Sequence, residues 1–235
     1  MVTDPQRAPG GPSEHIFHLA PTIPVHVFDA GVPGPTALIQ AGIHGDEIAG
    51  VHALEELLEE GLRPARGRLL VIPVMNPPAY RARQRAAPGG LDLNRCFPGD
   101  AAAPERERRL ARQLMDLVLR ERPALMATLH ESWKRFHPEI PVSFGQTIVY
   151  GVPERPPIVD RAVAAMNAAL ENPYERWAPH YFPVATSSTE VIVDAVGADA
   201  MVGLCIETWL GFELARRVAM QKAIVRILLG DVGLL

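Results

Sequence analysis

Certain side chains in this 235-residue chain can bind a metal ion or move protons, and they fall in short stretches: His44-Gly45-Asp46-Glu47, Asn76-Pro77, His130-Glu131-Ser132 and Glu207-Thr208-Trp209. A catalytic zinc takes three protein ligands and keeps a fourth position for water, and imidazole plus carboxylate is a common ligand set. His44, Glu47 and His130 supply such a set. His44 and Glu47 stand at a spacing that suits two ligands from one strand-to-helix turn, with Gly45 letting the backbone bend tightly between them. Taken alone, this stretch reads more readily as a polar turn than as a metal site, because His-x-x-Glu recurs by chance. The chain contains no His-Glu-x-x-His, and Ile48 rules out the inverted His-x-x-Glu-His form. Histidines 15, 18, 26, 52, 137 and 180 have no comparable partners at ligand spacing.

These residues need elements to carry them. Residues 36–43, 68–75, 124–129, 147–151 and 201–207 are apolar runs of strand length, with the continuous hydrophobicity of strands buried on both faces. Helical patterns lie between them. Ile48, Val51, Leu54, Leu57 and Leu58 repeat at helical spacing with Gly61 as a stop, and Leu110, Leu114, Leu117 and Val118 follow Pro104. Ile158, Ala162, Val163, Met166 and Leu170 form a third pattern, and Leu214, Val218, Ala219, Ile224 and Leu228 a long last one. This alternation predicts an α/β fold, a mostly parallel central sheet flanked by helices on both faces. Ligands bind such sheets outside the carboxyl ends of the strands, and each polar stretch follows a predicted strand. The polar stretches therefore converge on one site.

Composition narrows the class. A chain with 48% apolar and 21% charged residues is of ordinary globular type, and no apolar run approaches the roughly 18 to 20 residues that span a bilayer. Residues 1–13, rich in Pro and Gly, read as a loose N-terminal arm without the basic-then-apolar order of a secretory signal, and residues 14–235 as a single domain. A cytoplasmic location and two free thiols, Cys96 and Cys205, are the corresponding expectations. A net charge of −4 and a pI of about 6.1 give no electrostatic case for nucleic acid. The arginines at 106, 108, 109 and 112 alternate with Glu105, Glu107 and Asp116 and read as a solvated helix face.

The ordered motifs "GIHGDE", "MNPPAYRARQR", "LDLNRCFPG", "LHES" and "CIETW" closely resemble the succinylglutamate desuccinylase/aspartoacylase family, within the zinc carboxypeptidase-like folds, over roughly residues 36 to 229. The resemblance implies a single zinc ion held by His44, Glu47 and His130, with Glu207 as general base. It implies that Arg85, in competition with Arg81 and Arg83, polarises the scissile carbonyl, and that Asn94 and Arg95 hold a substrate carboxylate. Guanidinium suits both arginine roles, being always charged and able to match a carboxylate at two points. Asp92 reads as a brace for the loop carrying Asn94 and Arg95, and Glu131 as a loop residue rather than a ligand.

The sequence departs from the family in three places. Thr128 stands where relatives carry an aspartate two residues before the third ligand, the chain ends at Leu235 without an evident C-terminal β domain, and the substrate-specific arginine and tyrosine of aspartoacylase have only Tyr150, Tyr181 and Arg155 as candidates. The resemblance implies a zinc hydrolase cleaving an amide next to a free carboxylate, with N-acyl amino acid deacylation leading and carboxypeptidase action on short peptides as the alternative. A non-catalytic carboxylate-binding protein on the same fold is the rival from another class. The partners expected are small molecules, neither nucleic acid nor membrane, and the oligomeric state is left open.

Overall fold

The computed structural model describes residues 11–140, 142–168 and 170–235. Most of the predicted arm, residues 1–10, lies outside the described residues. The elements in chain order are β1 (Ser13–Ala20), β2 (Ile23–Asp29), β3 (Thr36–Gln40), α1 (Ala49–Glu59), β4 (Arg68–Ile72), α2 (Pro77–Ala82), α3 (Arg106–Glu121), β5 (Leu125–Ser132), β6 (Thr147–Tyr150), α4 (Pro157–Asn167), β7 (Ala178–Tyr181), α5 (Ser188–Val196), β8 (Val202–Trp209) and α6 (Leu214–Asp231). One 8-stranded sheet runs in the order β1-β2-β4-β3-β5-β8-β6-β7. Its centre, β4-β3-β5-β8, is parallel throughout. β2 pairs antiparallel with β4, β1 antiparallel with β2, and β6 antiparallel with β8. The sheet is thus mixed at its margins around a parallel core.

Alternation along the central strands divides two cores. Ala37, Ile39, Leu69, Val71, Leu125, Ala127, Leu204 and Ile206 face one side, packed with α1, α4 and α6 residues such as Leu54, Val159 and Ile224. Leu38, Leu70, Ile72 and Met126 face the other, against α3 and α5 through Leu110, Leu114, Ile192 and Val193. Both faces are covered, which is why these strands are apolar at every position rather than at alternate ones.

The marginal strands carry weaker patterns. β1 ("SEHIFHLA") alternates and is half exposed at the sheet edge, β2 carries Pro24 and His26, and β7 ("APHY") carries Pro179 at the opposite edge, where a missing ladder donor is tolerated. α5 is rich in β-branched residues but starts on a cap, the Ser187 hydroxyl accepting from Glu190 N–H at 3.2 Å. Cys96 and Cys205 are both free thiols, and no helix among the described residues is long and apolar enough to cross a membrane.

Candidate active site

His44 and Glu47 stand on the connection between β3 and α1, both buried. Gly45 between them is required by close approach. A Cβ there would lie 2.0 Å from both the carbonyl carbon and the oxygen of Ala79 in α2, and Gly45 N–H donates to Gln84 O at 2.9 Å. The left-handed residue of this turn is instead Gly42, at φ 63°.

His130 and Glu207 do not follow their strands, as the apolar runs suggested, but lie within them. β5 continues to Ser132 and β8 to Trp209, and the parallel register pairs His130 with Glu207. Polar residues can extend the strands here because the ladder pairs their backbones and nearby side chains partner several of the remaining polar groups. Gln221 of α6 donates from Nε2 to His130 O at 2.9 Å, and the Glu131 carboxylate accepts from Ala49 N–H at 2.9 Å while pairing with Arg217. Glu131 therefore joins the first turn of α1 to α6.

Glu47 is the centre of the cluster. Its Oε1 lies 2.7 Å from His44 Nδ1 and its Oε2 2.7 Å from His130 Nδ1, the latter oxygen also accepting Glu131 N–H at 3.1 Å. Ligating atoms of His44, Glu47 and His130 lie within 4.8 Å of one another. Burial disfavours a charge on His44, but the Glu47 carboxylate and the contact with Asp92 outweigh it and raise that imidazole to about 9. Burial likewise opposes the Glu47 charge, and the two histidines overcome it, holding the carboxyl far below its ordinary range. Burial lowers His130, and burial together with the charge of Glu47 pushes Glu207 well above the usual carboxyl value.

Two imidazoles and a carboxylate at this separation fit a divalent cation such as zinc. Buried polar atoms support the fit, since His130 Nε2 and Glu207 Oε2 have no hydrogen-bond partner among the described residues. The set lines a cavity of about 540 Å³, so it is open to a small molecule on one side.

The remaining residues singled out in the sequence meet at the same cavity. Arg85 donates from Nε to Asp92 Oδ2 at 2.9 Å and brings Nη1 to 3.4 Å from His44 Nδ1 and 3.7 Å from Glu47 Oε1. Arg83 is elsewhere, its guanidinium 4.4 Å over the Tyr80 ring, and Arg81 lines a separate groove with His26 and Glu55. Asn94 and Arg95 form a short 3-10 turn, braced by Asp92 Oδ1 accepting Asn94 N–H at 2.9 Å, and both line the cavity. The Asn94 side-chain oxygen is committed to Ser188 of α5, accepting from its N–H at 2.9 Å and from its hydroxyl at 3.1 Å. Of Tyr150, Tyr181 and Arg155, which lie together, Tyr150 alone is among the residues lining the cavity.

Asp92 does more than brace its loop. Its Oδ1 lies 3.3 Å from His44 Nε2, so it orients that imidazole and holds Arg85 at once. Thr128, in the place of the family aspartate, is buried and accepts from Gln40 Nε2 at 3.0 Å. Sequence reading passed over Cys205 and Glu190. Cys205 stands two residues before Glu207 on the same strand face, with Sγ donating to Glu207 Oε1 at 3.6 Å, and strand alternation could have flagged it. Glu190 lines the cavity from α5, an element whose β-branched sequence hid it.

Residues 33–132 match the sequence profile of the family described as Succinylglutamate desuccinylase/Aspartoacylase catalytic domain. The chain is 46% identical over 80 residues to the N-alpha-acetyl-L-2,4-diaminobutyric acid deacetylase of Halomonas elongata, a match taking in 33% of this chain and 23% of that protein's length. Among solved structures it resembles a succinylglutamate desuccinylase/aspartoacylase from Rhodobacter sphaeroides, with a TM-score of 0.73 and 24% identity over 99% of this chain and 69% of that one. It also resembles the tripeptide-bound cell shape determinant Csd4 of Helicobacter pylori, with a TM-score of 0.75 and 19% identity over 91% of this chain and 56% of that one. The chain spans little more than half the length of that last protein. Residues 33–132 thus carry the sequence profile of the succinylglutamate desuccinylase/aspartoacylase catalytic domain, the chain shares the fold of solved proteins of that name, and the motif residues gather round one cavity.

Proposed function

We propose that the protein is a zinc-dependent hydrolase of amide bonds next to a free carboxylate, acting on N-acyl amino acids in the cytoplasm. One observation carries this reading: His130 of the ligand set and Glu207, with its unpartnered Oε2, are paired across β5 and β8 at the floor of a cavity that Arg85, Asn94 and Arg95 also line.

His44, Glu47 and His130 would hold the metal, which when bound supplies a Lewis acid and brings the pKa of its water to about 7. Glu207 accepts a proton from the attacking water as the water oxygen bonds the carbonyl carbon, then returns it to the amide nitrogen as the C–N bond breaks. Arg85, held by Asp92, offers Nη1 toward the oxyanion. Arg95 receives the substrate carboxylate in its planar fork, and the Asn94 amide NH₂ is a donor beside it while its oxygen is anchored to Ser188.

The test is mass spectrometry of a mixed pool of N-acyl amino acids and short peptides incubated with zinc-loaded protein, with Glu207→Gln as control. Loss of N-acyl amino acids with wild type alone is the expected result; loss of neither class, with zinc bound, would move the protein to a carboxylate-binding role. A second reading, carboxypeptidase action on short peptides, is favoured by the cavity volume of about 540 Å³ and by the fold shared with tripeptide-bound Csd4. Release of C-terminal residues from the peptides in the same pool would select it.

A further inference from the structure

Glu190 is a carboxylate in the cavity wall that the proposed chemistry does not use. It stands in the first turn of α5, where its N–H donates to the Ser187 hydroxyl, so its backbone is fixed by the cap. Its side chain does not turn back on that cap. Oε2 instead accepts from Val184 N–H, and the carboxyl lies against Gly151, where an added Cβ would come within 3.1 Å of Cδ. Among the described residues no cation lies at ion-pair distance from it. The cavity arginines are engaged or aimed elsewhere, Arg85 on Asp92 and Arg95 Nη1 on Asn94 O.

The position of Glu190 relative to the carboxylate anchor is set by two hydrogen bonds and a short stretch of helix. The Asn94 side-chain oxygen accepts from the N–H and hydroxyl of Ser188 at the start of α5, and Ser187, Thr189 and Glu190 all line the cavity. Helix rise puts Glu190 about 3 Å along the axis from Ser188. An amino acid whose carboxylate is held at Asn94 and Arg95 therefore occupies the same cavity that the Glu190 carboxyl lines. Burial, partly offset by the Val184 N–H, raises the Glu190 carboxyl above its ordinary value, and a cation beside it relieves that cost.

We infer that Glu190 is a specificity-determining residue that receives a cationic side chain of the amino acid released, so that the substrates are N-acyl derivatives of diamino acids. This deepens the deacylase reading and rests on it for the word substrate. Hydrogen bonding to a charged group supports a preference of about tenfold or more over a neutral isostere.

The experiment compares kcat/KM of the zinc-loaded protein for the Nα-acetyl derivatives of 2,4-diaminobutyrate, ornithine and lysine with those of norvaline and norleucine. The cationic series is expected to lead by about tenfold, the ratio to fall towards one in Glu190→Gln, and Glu190→Arg to shift preference towards N-acetylglutamate. A cap residue with no substrate contact would lower all rates together and leave the ratio intact, which would overturn the assignment. Binding of free ornithine and norvaline by calorimetry, to wild type and Glu190→Gln, reads the same contact without turnover. If no N-acyl compound is hydrolysed yet ornithine binds better through Glu190, the deacylase reading fails and the cation site stands; equal binding, or none at millimolar ligand, removes the cation site whatever the turnover.

Discussion

His130 on β5 and Glu207 on β8 are direct partners in a parallel register, side chains on one sheet face, with Thr147 of β6 completing the row on the far side of Glu207. The proposed metal ligand and the proposed proton carrier are thus held by adjacent rigid strands rather than by loops. Their separation is set by the ladder, a geometry that loop motion does not blur.

Replacing the Glu207 carboxylate with an amide should leave zinc in place and remove turnover. General-base catalysis typically contributes about 10² to 10⁴ in rate, so Glu207→Gln is expected to lower kcat by that order with metal content near one equivalent. Elemental analysis beside steady-state kinetics checks it, and a kcat within threefold of wild type would remove Glu207 from the proton path.

Metal removal should cost stability. His44 and Glu47 share one turn while His130 lies on the distant strand β5, so a cation on all three stabilises the folded state. At a metal concentration about a hundredfold above Kd the gain is about 2.7 kcal/mol, which for a chain of this size is a fall of roughly 5 to 10 °C in Tm on chelation. The same fall, without response to chelator, is expected of His44→Ala. Identical melting curves with and without chelator would argue against a resident metal.

Asn94 and Arg95 should separate in their effects. Arg95→Ala is expected to raise KM for substrates with a free carboxylate but not for their carboxamides, with Tm unchanged. Asn94→Ala also removes two hydrogen bonds at Ser188 and so should cost about 1 kcal/mol of stability as well. Thermal melts alongside carboxylate and carboxamide kinetics distinguish them, and an Arg95→Ala effect equal on both substrates would rule out the anchor.

The Glu131–Arg217 pair offers the largest single-site destabilisation away from the cluster. The Glu131 side chain is 0% exposed and that of Arg217 11%. Arg217→Ala strands a buried carboxylate and should cost about 3 to 5 kcal/mol, whereas Arg217→Ala combined with Glu131→Gln should recover part of it. Chemical denaturation of the two variants measures the difference, and equal midpoints would show that the lone charge is not what destabilises.

The parallel centre of the sheet was legible because both of its faces are covered: "TALIQ" and "RLLVI" have no polar alternation to confuse them with surface strands. The edges were not. Pro179 in β7 and the His15, His18 and His26 of the outer hairpin carry no continuous apolar run, since half of each edge strand meets solvent. α5 carries no helical pattern that the sequence picked out, since Val191, Ile192 and Val193 are a β-branched run, and its helicity is set by the Ser187 cap and by packing on β8. For the site, residue type and motif order brought His44, Glu47, His130, Arg85, Asn94 and Arg95 to one cavity. They could not reveal that Asp92 reaches His44, or that Asn94 is tied to Ser188, because these contacts join segments with no spacing relation.

Arg217 and Gln221 of α6 steady Glu131 and the His130 carbonyl, and both lie downstream of every residue that lines the cavity. During synthesis His44, Glu47, Asn94, Arg95, His130 and Glu207 all emerge before the helix that braces them. A ribosome-bound intermediate lacking α6 would therefore hold Glu131 and the His130 carbonyl without that brace.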